Sequence, residues 1–246
     1  SSSPIQALRP AARFSLTPSK ISVMPVMTMD QNNLIHGFWY GEKDARTNES
    51  PLLYSQTSFG EQVWTMGEVV AESALVFNAM SIGDREMLLA YIRTLKTEAV
   101  PPGVFSRRAV SGPTTGGVLA WQRAGAIDSS IYYRILSSEE AFIQSVIVES
   151  AVFLLWREPR LDQVLYASSV DHGLTWNPPV SIGEPGMQID QPLLATLPTG
   201  EVLRIWQDAS QSGCMLYQQS LDGRPIEPAG AAQTPTAQPA PFSANA

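Results

Sequence analysis

A short strand-loop-strand unit recurs along the chain and constrains the fold more than any other feature of the sequence. Each unit holds an apolar strand with an aromatic residue at its end, a polar loop, and a second apolar strand that also ends in an aromatic residue. Apolar runs of this composition between polar turns are typical of strands, so the repeat predicts an all-β fold. The five aromatic pairs are Trp39 with Tyr54, Tyr91 with Phe105, Trp121 with Tyr133, Trp156 with Tyr166, and Trp206 with Tyr217.

Two of the units align without a gap. Residues 24–40, MPVMTMDQNNLIHGFWY, match residues 191–207, QPLLATLPTGEVLRIWQ, with Pro25 on Pro192 and Trp39 on Trp206. In both segments a polar turn, DQNN or LPTG, separates two apolar runs. Polar turns between such runs predict β-hairpins, so each unit should begin with one.

The spacing of the units favours a β-propeller. Their first aromatic residues lie 52, 30, 35 and 50 residues apart, and a four-stranded propeller blade takes about 40–50 residues. We therefore expect a β-propeller of about five blades of short antiparallel sheets over residues 21–228. Six blades are expected if the N-terminal segment, residues 1–20, helps to close the ring.

Residues 83–103, GDREMLLAYIRTLKTEAVPPG, fit two structures. An acidic start and a Pro-Pro stop are compatible with an amphipathic helix. We favour a strand over residues 87–93 because they are in register with the other units.

The stretch SSVDHGLTW, residues 168–176, has the chemistry of a closed turn. The carboxylate of Asp171 can accept N–H groups of the following residues, and the hydroxyls of Ser169 and Thr175 can add local bonds. Gly173 provides the positive φ of a tight reversal. Trp176 provides a large apolar plate to place between adjacent sheets. We interpret these residues as structural rather than catalytic.

Degenerate copies of this turn occur elsewhere. Ser220 and Asp222, followed by Gly223, have the same offsets from their strand tyrosine as the serine and aspartate of the intact turn. Trp64 lies as far after the strand tyrosine Tyr54 as Trp176 lies after Tyr166, although Phe59 stands where the aspartate would be. A motif that recurs around a ring is expected to be architectural, since a catalytic group is needed only once.

The octet resembles the Asp-box, or bacterial neuraminidase repeat, of sialidases and related non-enzymatic propellers. The segment from VMTMDQNN to GEVV looks like the full repeat of that superfamily, and the resemblance covers about residues 21–223. Asp-boxes of the family lie on the propeller rim, away from the ligand pocket. The resemblance therefore implies that Asp171 is not a nucleophile.

The resemblance also implies what a catalytic member would need: a tyrosine nucleophile helped by a glutamate, an acid/base aspartate, and arginines that grip a carboxylate. The strand comparable to the family's Arg-Ile-Pro segment reads KISVMPVMTMD and has no arginine before the proline. Three arginines follow central strands and are candidate binding residues: Arg93, Arg123 and Arg157. A carboxylate and tyrosine pair, Glu42 with Tyr40, can be drawn, but no catalytic residue is assigned.

Charge and composition exclude several other functions. The formal net charge of −7 is unlike the basic surfaces of nucleic-acid-binding proteins. Cys214 is the single cysteine, and the two histidines, His36 and His172, have no ligand spacing, so no metal or other cofactor is expected. Apolar runs of the roughly 20 residues that span a bilayer are absent from the sequence.

These observations together predict a non-catalytic, secreted or cell-surface binding or assembly module. Its partner would be a glycan, a protein ligand or sister subunits in an extracellular assembly. Residues 229–246, rich in Ala and Pro, are expected to form a linker or tail. The alternative is an exo-sialidase-like glycoside hydrolase whose arginines grip an acidic sugar.

Overall fold

The structure is a computed structural model that describes residues 25–43, 49–61, 63–95, 100–112, 118–182, 188–198, 200, 202–208 and 215–221. For Asp208 and residues 215–221 it describes the backbone alone. The expected N-terminal segment and tail, and Cys214, Asp222 and Gly223, lie outside these residues. The described part is all-β, as the repeat predicts, with four antiparallel sheets and one short 3-10 helix. None of its helices is long and apolar enough to cross a membrane.

The first sheet is a meander of four strands in chain order. The expected hairpin over DQNN is confirmed: Asp30 Oδ1 accepts the N–H groups of Asn32 at 2.8 Å and Leu34 at 2.9 Å. Asn33 takes the left-handed conformation, with φ 60°, that such a tight turn needs. The strands are β1 Val26–Met29, β2 Leu34–Tyr40, β3 Ser50–Ser58 and β4 Glu68–Ala74.

The second sheet has the same order, with an interrupted edge. Its outer edge consists of two short strands, the fourth and fifth in chain order, which pair with different parts of the third strand. The strand expected over residues 87–93 is confirmed, and the helical alternative is wrong. The strands are β5 Val76–Gly83, β6 Glu86–Arg93, β7 Gly103–Ser111, β8 Leu119–Trp121 and β9 Gly125–Ser129.

The third and fourth sheets repeat the meander. In the fourth, the hairpin expected over LPTG is confirmed, and the register shifts between Asp190 and Leu193, at Pro192, whose ring supplies no N–H to the ladder. The third sheet contains β10 Ile143–Val148, β11 Ala151–Glu158, β12 Gln163–Ser169 and β13 Val180–Ser181; the fourth contains β14 Ile189–Thr196, β15 Val202–Asp208 and β16 Met215–Leu221.

One of the five expected units is wrong. Trp121 lies in the edge strand β8, and Tyr133 lies in the 3-10 helix Ile131–Ile135 instead of a strand. Ser130 begins that helix because its side chain accepts the N–H of Tyr132. The described residues therefore form four sheets where the aromatic pairs predicted five units.

The first strands of the sheets are neighbours: β1 contacts β5, β5 contacts β10, and β10 contacts β14. We call these four the central strands. Ser145 Oγ of β10 donates to Asn78 Oδ1 of β5. Gln144 Nε2 of β10 donates to Leu194 O of β14 at 3.3 Å, and Gln144 Oε1 accepts the N–H of Leu194 at 2.9 Å.

The sheets also share one orientation. Asn32, in the turn between β1 and β2, donates to Asp84, in the turn between β5 and β6. We call this side of the sheets, where the first two strands turn, the hairpin end. The other side, where the central strands begin and the second strands end, is the mouth end.

The core lies between consecutive sheets and contains the aromatic residues of the repeat. Phe38, Tyr54 and Tyr91 pack between the first and second sheets. Trp156 packs between the second and third, and Tyr166 with Trp206 between the third and fourth. All are 5% exposed or less. Since large aromatic side chains bury the most area per residue, the repeat marks the inter-sheet core.

Candidate functional site

The octet forms the turn between β12 and β13 at the hairpin end. Asp171 Oδ1 accepts the N–H of Thr175 at 2.8 Å, and its Oδ2 accepts the Thr175 hydroxyl at 2.6 Å. Ser169 Oγ donates to Asp171 Oδ1 at 2.7 Å and accepts the N–H of Gly173 at 2.8 Å. Both polar side chains are thus occupied in closing the corner.

The turn is also packed against the neighbouring sheet. Trp176 Nε1 donates to Ser106 Oγ of β7 at 3.0 Å, and its ring contacts the small cluster of Ile82, Leu88 and Val152. Gly173, with φ 80°, lies so close to β6 that a Cβ there would stand 2.8 Å from Leu88 Cδ1. The turn therefore joins the third sheet to the second.

The electrostatics of Asp171 fit this structural role. Partial burial raises the pKa of its carboxyl, but the hydrogen bonds from Thr175, Ser169 and the backbone N–H of Leu174 outweigh it and hold the pKa at about 2. A carboxylate that accepts several N–H and O–H groups is stabilised in its charged form. Asp171 is ionised at neutral pH and unsuited to general acid catalysis there.

His172 completes the turn by its backbone. It has φ 56°, and its N–H donates to Ser150 O at 3.1 Å. Its Nδ1 lies 3.6 Å from Glu86 Oε2. The same oxygen accepts a hydrogen bond from Arg108 Nη2 at 2.9 Å.

The first sheet contains a related turn between β3 and β4. Trp64 is half-buried there, and Phe59 is 70% exposed. The third copy involves Ser220, Asp222 and Gly223. The backbone of Ser220 lies in β16, and the other two residues lie outside the described part.

The three candidate arginines lie in different surroundings. Arg93 ends β6, is 5% exposed, and donates Nε to Leu95 O at 3.0 Å. Arg157, near the end of β11, forms an ion pair with Asp162 at 2.6 Å. Arg123 is exposed and lies in the short segment between the edge strands β8 and β9. Arg93 and Arg157 thus share the mouth end, and Arg123 lies on the outer edge.

The central strands present few ionisable groups. Asp190 of β14 is the one charged residue in their sequences, VMTM, VFNAMSIG, IQSVIV and IDQPLLAT, and it is exposed. Val26, Met27 and Met29 of β1 and Leu193 of β14 expose between 42% and 53% of their surface. These strands therefore carry mostly apolar and uncharged side chains, with one exposed carboxylate.

A buried polar chain in the first sheet is a feature that sequence reasoning missed. Tyr54 donates its hydroxyl to Gln56 Oε1 at 2.8 Å, and Leu119 N donates to the same oxygen at 3.2 Å. His36 Nδ1 lies 2.9 Å from the Tyr54 hydroxyl oxygen, to which it donates because the hydroxyl hydrogen is used. His36 Nε2 lies 3.5 Å from Asp30 Oδ2.

This chain is inaccessible and therefore structural. His36 is fully buried and Tyr54 is 1% exposed. Burial lowers the pKa of His36, against the opposing effect of Asp30, and burial raises the pKa of Tyr54. Neither group can reach a substrate, so the chain links the first hairpin to β8 of the second sheet.

Tyr40, the tyrosine of the pair drawn with Glu42, ends β2. The Tyr40 hydroxyl donates to Leu75 O at 3.1 Å, and burial raises the pKa of Tyr40. Within the described ranges, no group of three or more His, Cys, Asp or Glu residues is arranged to hold a metal ion.

A cavity of 410 Å³ opens at the mouth end, between the first two sheets. Its walls come from the ends of β2, β4 and β6 and the start of β3. Glu49 is buried at its wall, and Oε1 accepts the N–H of Thr94 at 2.9 Å together with the Thr94 hydroxyl. The lining residues are Glu42, Lys43, Glu49, Pro51, Glu72, Ser73 and Leu95.

Comparison with known proteins gives structural similarities only. No protein-family model and no curated protein match the chain. The α-L-arabinofuranosidase PaAbf62A from Podospora anserina, in complex with cellotriose, is similar at 11% identity and TM-score 0.43, over 80% of this chain and 63% of its own. The Hadza microbial sialidase Hz136 is similar at 12% identity and TM-score 0.43, over 79% of this chain and 43% of its own.

The Bombyx mori GH32 β-fructofuranosidase BmSUC1 is similar at 14% identity and TM-score 0.46, over 80% of this chain and 45% of its own. This chain therefore spans less than two thirds of the length of each of the three structures. All three carry the names of enzymes that act on glycosidic bonds.

Proposed function

We propose that this protein is a non-catalytic, secreted or cell-surface binding module built as a sialidase-like β-propeller, with a glycan or protein ligand or sister subunits as its partner. The observation that carries the proposal is the composition of the central strands, which have Asp190 as their one charged residue. The central strands of a propeller line its axis, where a ligand meets residues from several blades.

Catalysis on a glycosidic bond requires more than such a lining provides. Most glycoside hydrolases place two carboxyl groups on opposite sides of the bond, about 5–10 Å apart, whereas sialidases use a tyrosine nucleophile. The central strands have no second carboxylate beside Asp190 and no tyrosine. A mostly apolar lining suits recognition by apolar contact, because polar groups such as Asn78 and Gln144 are already engaged between strands.

The propeller arrangement is supported by the meander order of each sheet and by the adjacency of the central strands. We propose a ring of about five blades, or six with the N-terminal segment, in which the described sheets are consecutive blades. The Asp-box turn then lies at the hairpin end and holds two blades together. An extracellular location is proposed from the Ala- and Pro-rich residues 229–246.

A test combines binding with turnover on one preparation of the full chain. On an array of neutral, amino and acidic glycans we expect retention of a subset of glycans, and with aryl glycosides we expect no product. Product release above the rate of a buffer control would contradict the proposal.

A second candidate function is an exo-sialidase-like glycoside hydrolase in which Arg93 and Arg157 grip an acidic sugar. Arg123, the third arginine expected from the sequence, lies on the outer edge, away from them. One observation favours the hydrolase: Arg93 and Arg157 lie at the same end of adjacent sheets, and Arg93 Nη2 is buried without a hydrogen-bond partner among the described residues. A guanidinium with a free N–H edge can pair with a carboxylate.

A fluorogenic sialoside separates the two functions. The hydrolase predicts turnover that Arg93→Ala or Arg157→Ala abolishes, with Arg160→Ala as the exposed control. Absence of turnover in the wild type removes this candidate.

A further inference from the structure

The cavity at the mouth end is assembled from segments far apart in the sequence. Glu42 and Lys43 follow β2, Pro51 begins β3, and Leu95 follows β6 of the neighbouring sheet. Its volume of 410 Å³ lies in the lower part of the roughly 300–1,000 Å³ range of ligand pockets. It has room for one sugar ring with its substituents.

Ser73 in this cavity is an unusual polar residue. It is 2% exposed, it lines the cavity, and its Oγ has no hydrogen-bond partner in the described part of the chain. Buried hydroxyls are nearly always hydrogen-bonded, so an exception calls for a partner supplied from the cavity itself. A ligand hydroxyl or ammonium group is such a partner.

Glu49 is held in place at the wall of the cavity by hydrogen bonds. Its Oε1 accepts the N–H and the hydroxyl of Thr94, and its side chain lies near Arg93, which donates to Leu95 O. Burial raises the pKa of Glu49, and the Thr94 and Leu95 N–H groups and the Arg93 charge partly oppose this. A carboxylate fixed in this way loses little conformational entropy when a ligand binds.

The charges of the lining select the ligand. Glu42, Glu49 and Glu72 provide three carboxylates, against the ammonium group of Lys43 in the lining and the Arg93 guanidinium near Glu49, so one negative charge is in excess. Excess negative charge repels carboxylates and phosphates and attracts a cation, and the pairing is stronger where water is partly excluded. Pro51 and Leu95 add apolar surface that can cover the C–H face of a sugar ring.

We propose that this cavity binds an amino sugar through its protonated amine. The ammonium group pairs with Glu42 and Glu72, and ring hydroxyls bond Ser73 Oγ and Glu49. This inference goes beyond the proposed function, because it assigns a second binding site with its own ligand class. The site lies between the first two sheets, away from the central strands.

Isothermal titration calorimetry of the full chain with four sugars tests the inference at about pH 6, where the amine is protonated. D-Glucosamine should bind about tenfold more tightly than D-glucose or N-acetyl-D-glucosamine, which lack the charge, and D-glucuronate should not bind. Added salt should weaken D-glucosamine binding, because ionic contacts at a partly exposed site are screened.

Two variants locate the site. Glu72→Gln removes one charge at an exposed position, and Ser73→Ala removes one hydroxyl without adding volume, so both should fold. Glu72→Gln should weaken D-glucosamine binding by about threefold, as expected for an exposed ion pair, and Ser73→Ala by about tenfold. Glu61→Gln, in the exposed turn at the hairpin end, should leave it unchanged.

Each failure has a different meaning. Equal affinity for D-glucosamine and D-glucose, no binding of D-glucosamine, or full binding by both cavity variants would overturn the amino-sugar site. Array binding of other glycans should remain intact in the cavity variants, since the cavity is a second site, and its loss would overturn that assignment. Hydrolysis of aryl glycosides would overturn the binding function itself.

Discussion

The turns that join the third and fourth strands differ between the third sheet and the first. In the third sheet Asn177 N donates to Ser168 O at 2.8 Å, and in the first sheet Thr65 N donates to Gln56 O at 2.9 Å. These pairs have the same separation in sequence, and each closes its loop at the same place. The backbone closure is therefore common to the intact turn and to its copy.

The side chains that support this closure are different. The third sheet uses the Asp171 carboxylate, whereas the first has Phe59 at that offset, 70% exposed. Hydroxyls take over in the first sheet: Thr57 Oγ1 donates to Val63 O at 2.7 Å, and Ser55 Oγ donates to Thr65 O at 2.6 Å.

The comparison teaches that the carboxylate is one of several ways to close this corner. A hydroxyl network gives the same backbone bond without a charge. Because hydroxyls can take the place of the carboxylate, we infer that Asp171 serves the fold of the turn. Its hydrogen bonds to Thr175 and its position at the end opposite the cavity agree with this role.

The largest expected effect is at Trp176. Trp176→Ala removes a ring packed against Leu88 and Val152 and its bond to Ser106, and should lower the free energy of unfolding by about 3 kcal/mol. Trp176→Phe keeps most of the ring contact and should lose about 1 kcal/mol. Urea unfolding measures both. A loss below about 1 kcal/mol for the alanine variant would mean that the ring does not join the two sheets.

The next largest loss of stability is expected at a glycine in the third-sheet turn, for which a glycine at nearly the same position of the first-sheet turn is the control. Gly173→Ala brings a Cβ to 2.8 Å from Leu88 Cδ1 at φ 80°, whereas Gly60→Ala has open space at φ 89°. We expect a loss of about 2 kcal/mol for the first and about 1 kcal/mol for the second. Equal midpoints in thermal unfolding would show that the third-sheet turn is not packed on β6.

The acid dependence of stability should differ between the turns. The pKa of Asp171 is lowered from its ordinary 3.8 to about 2, so its contribution is complete above the unfolded value and is lost as pH falls from about 4 to about 2. Asp171→Asn should remove that part of the acid dependence. A wild-type and variant pair with parallel stability curves over this range would contradict the assignment. Phe59, at the same offset in the first-sheet turn, has no carboxylate and should make no such contribution.

The smallest effect comes from rebuilding the carboxylate in the copy. Phe59→Asp with Val63→Thr places the aspartate and threonine at the offsets that Asp171 and Thr175 have, and should raise the free energy of unfolding by about 0.5 kcal/mol. Val63→Thr alone is the control. Destabilisation by the double variant would show that the two turns differ in backbone path as well as in side chains.

Much of the fold follows from local sequence signals. The hairpins over DQNN and LPTG could be predicted because polar turn residues interrupt apolar runs. The turn at Asp171 could be predicted because its bonds join residues within four positions of each other. The strand over residues 87–93 was distinguished from a helix by its register with the other units.

The failure at Trp121 and Tyr133 has a physical reason. The segment IYYRI is as apolar and aromatic as a strand, and its 3-10 conformation is set by tertiary bonds: Tyr133 donates to Asp128 Oδ2 and accepts Trp156 Nε1, each at 2.7 Å. Ser130, which caps the helix, was a local signal that could have indicated it.

The cavity could not be predicted from the sequence. Glu42, Glu49, Glu72 and Leu95 come from separate strands and loops, and no spacing relates them. The arginine cluster was expected from strand ends alone, but an interrupted edge strand places Arg123 at the outer edge, away from Arg93 and Arg157.

The role of the Asp171 carboxylate is tested most directly by urea unfolding of Asp171→Ala. The carboxylate satisfies the N–H and hydroxyl of Thr175 and the hydroxyl of Ser169, so its removal should lower the free energy of unfolding by about 1–3 kcal/mol. Glycan binding by the folded variant should remain. Unchanged stability with lost binding would contradict the account.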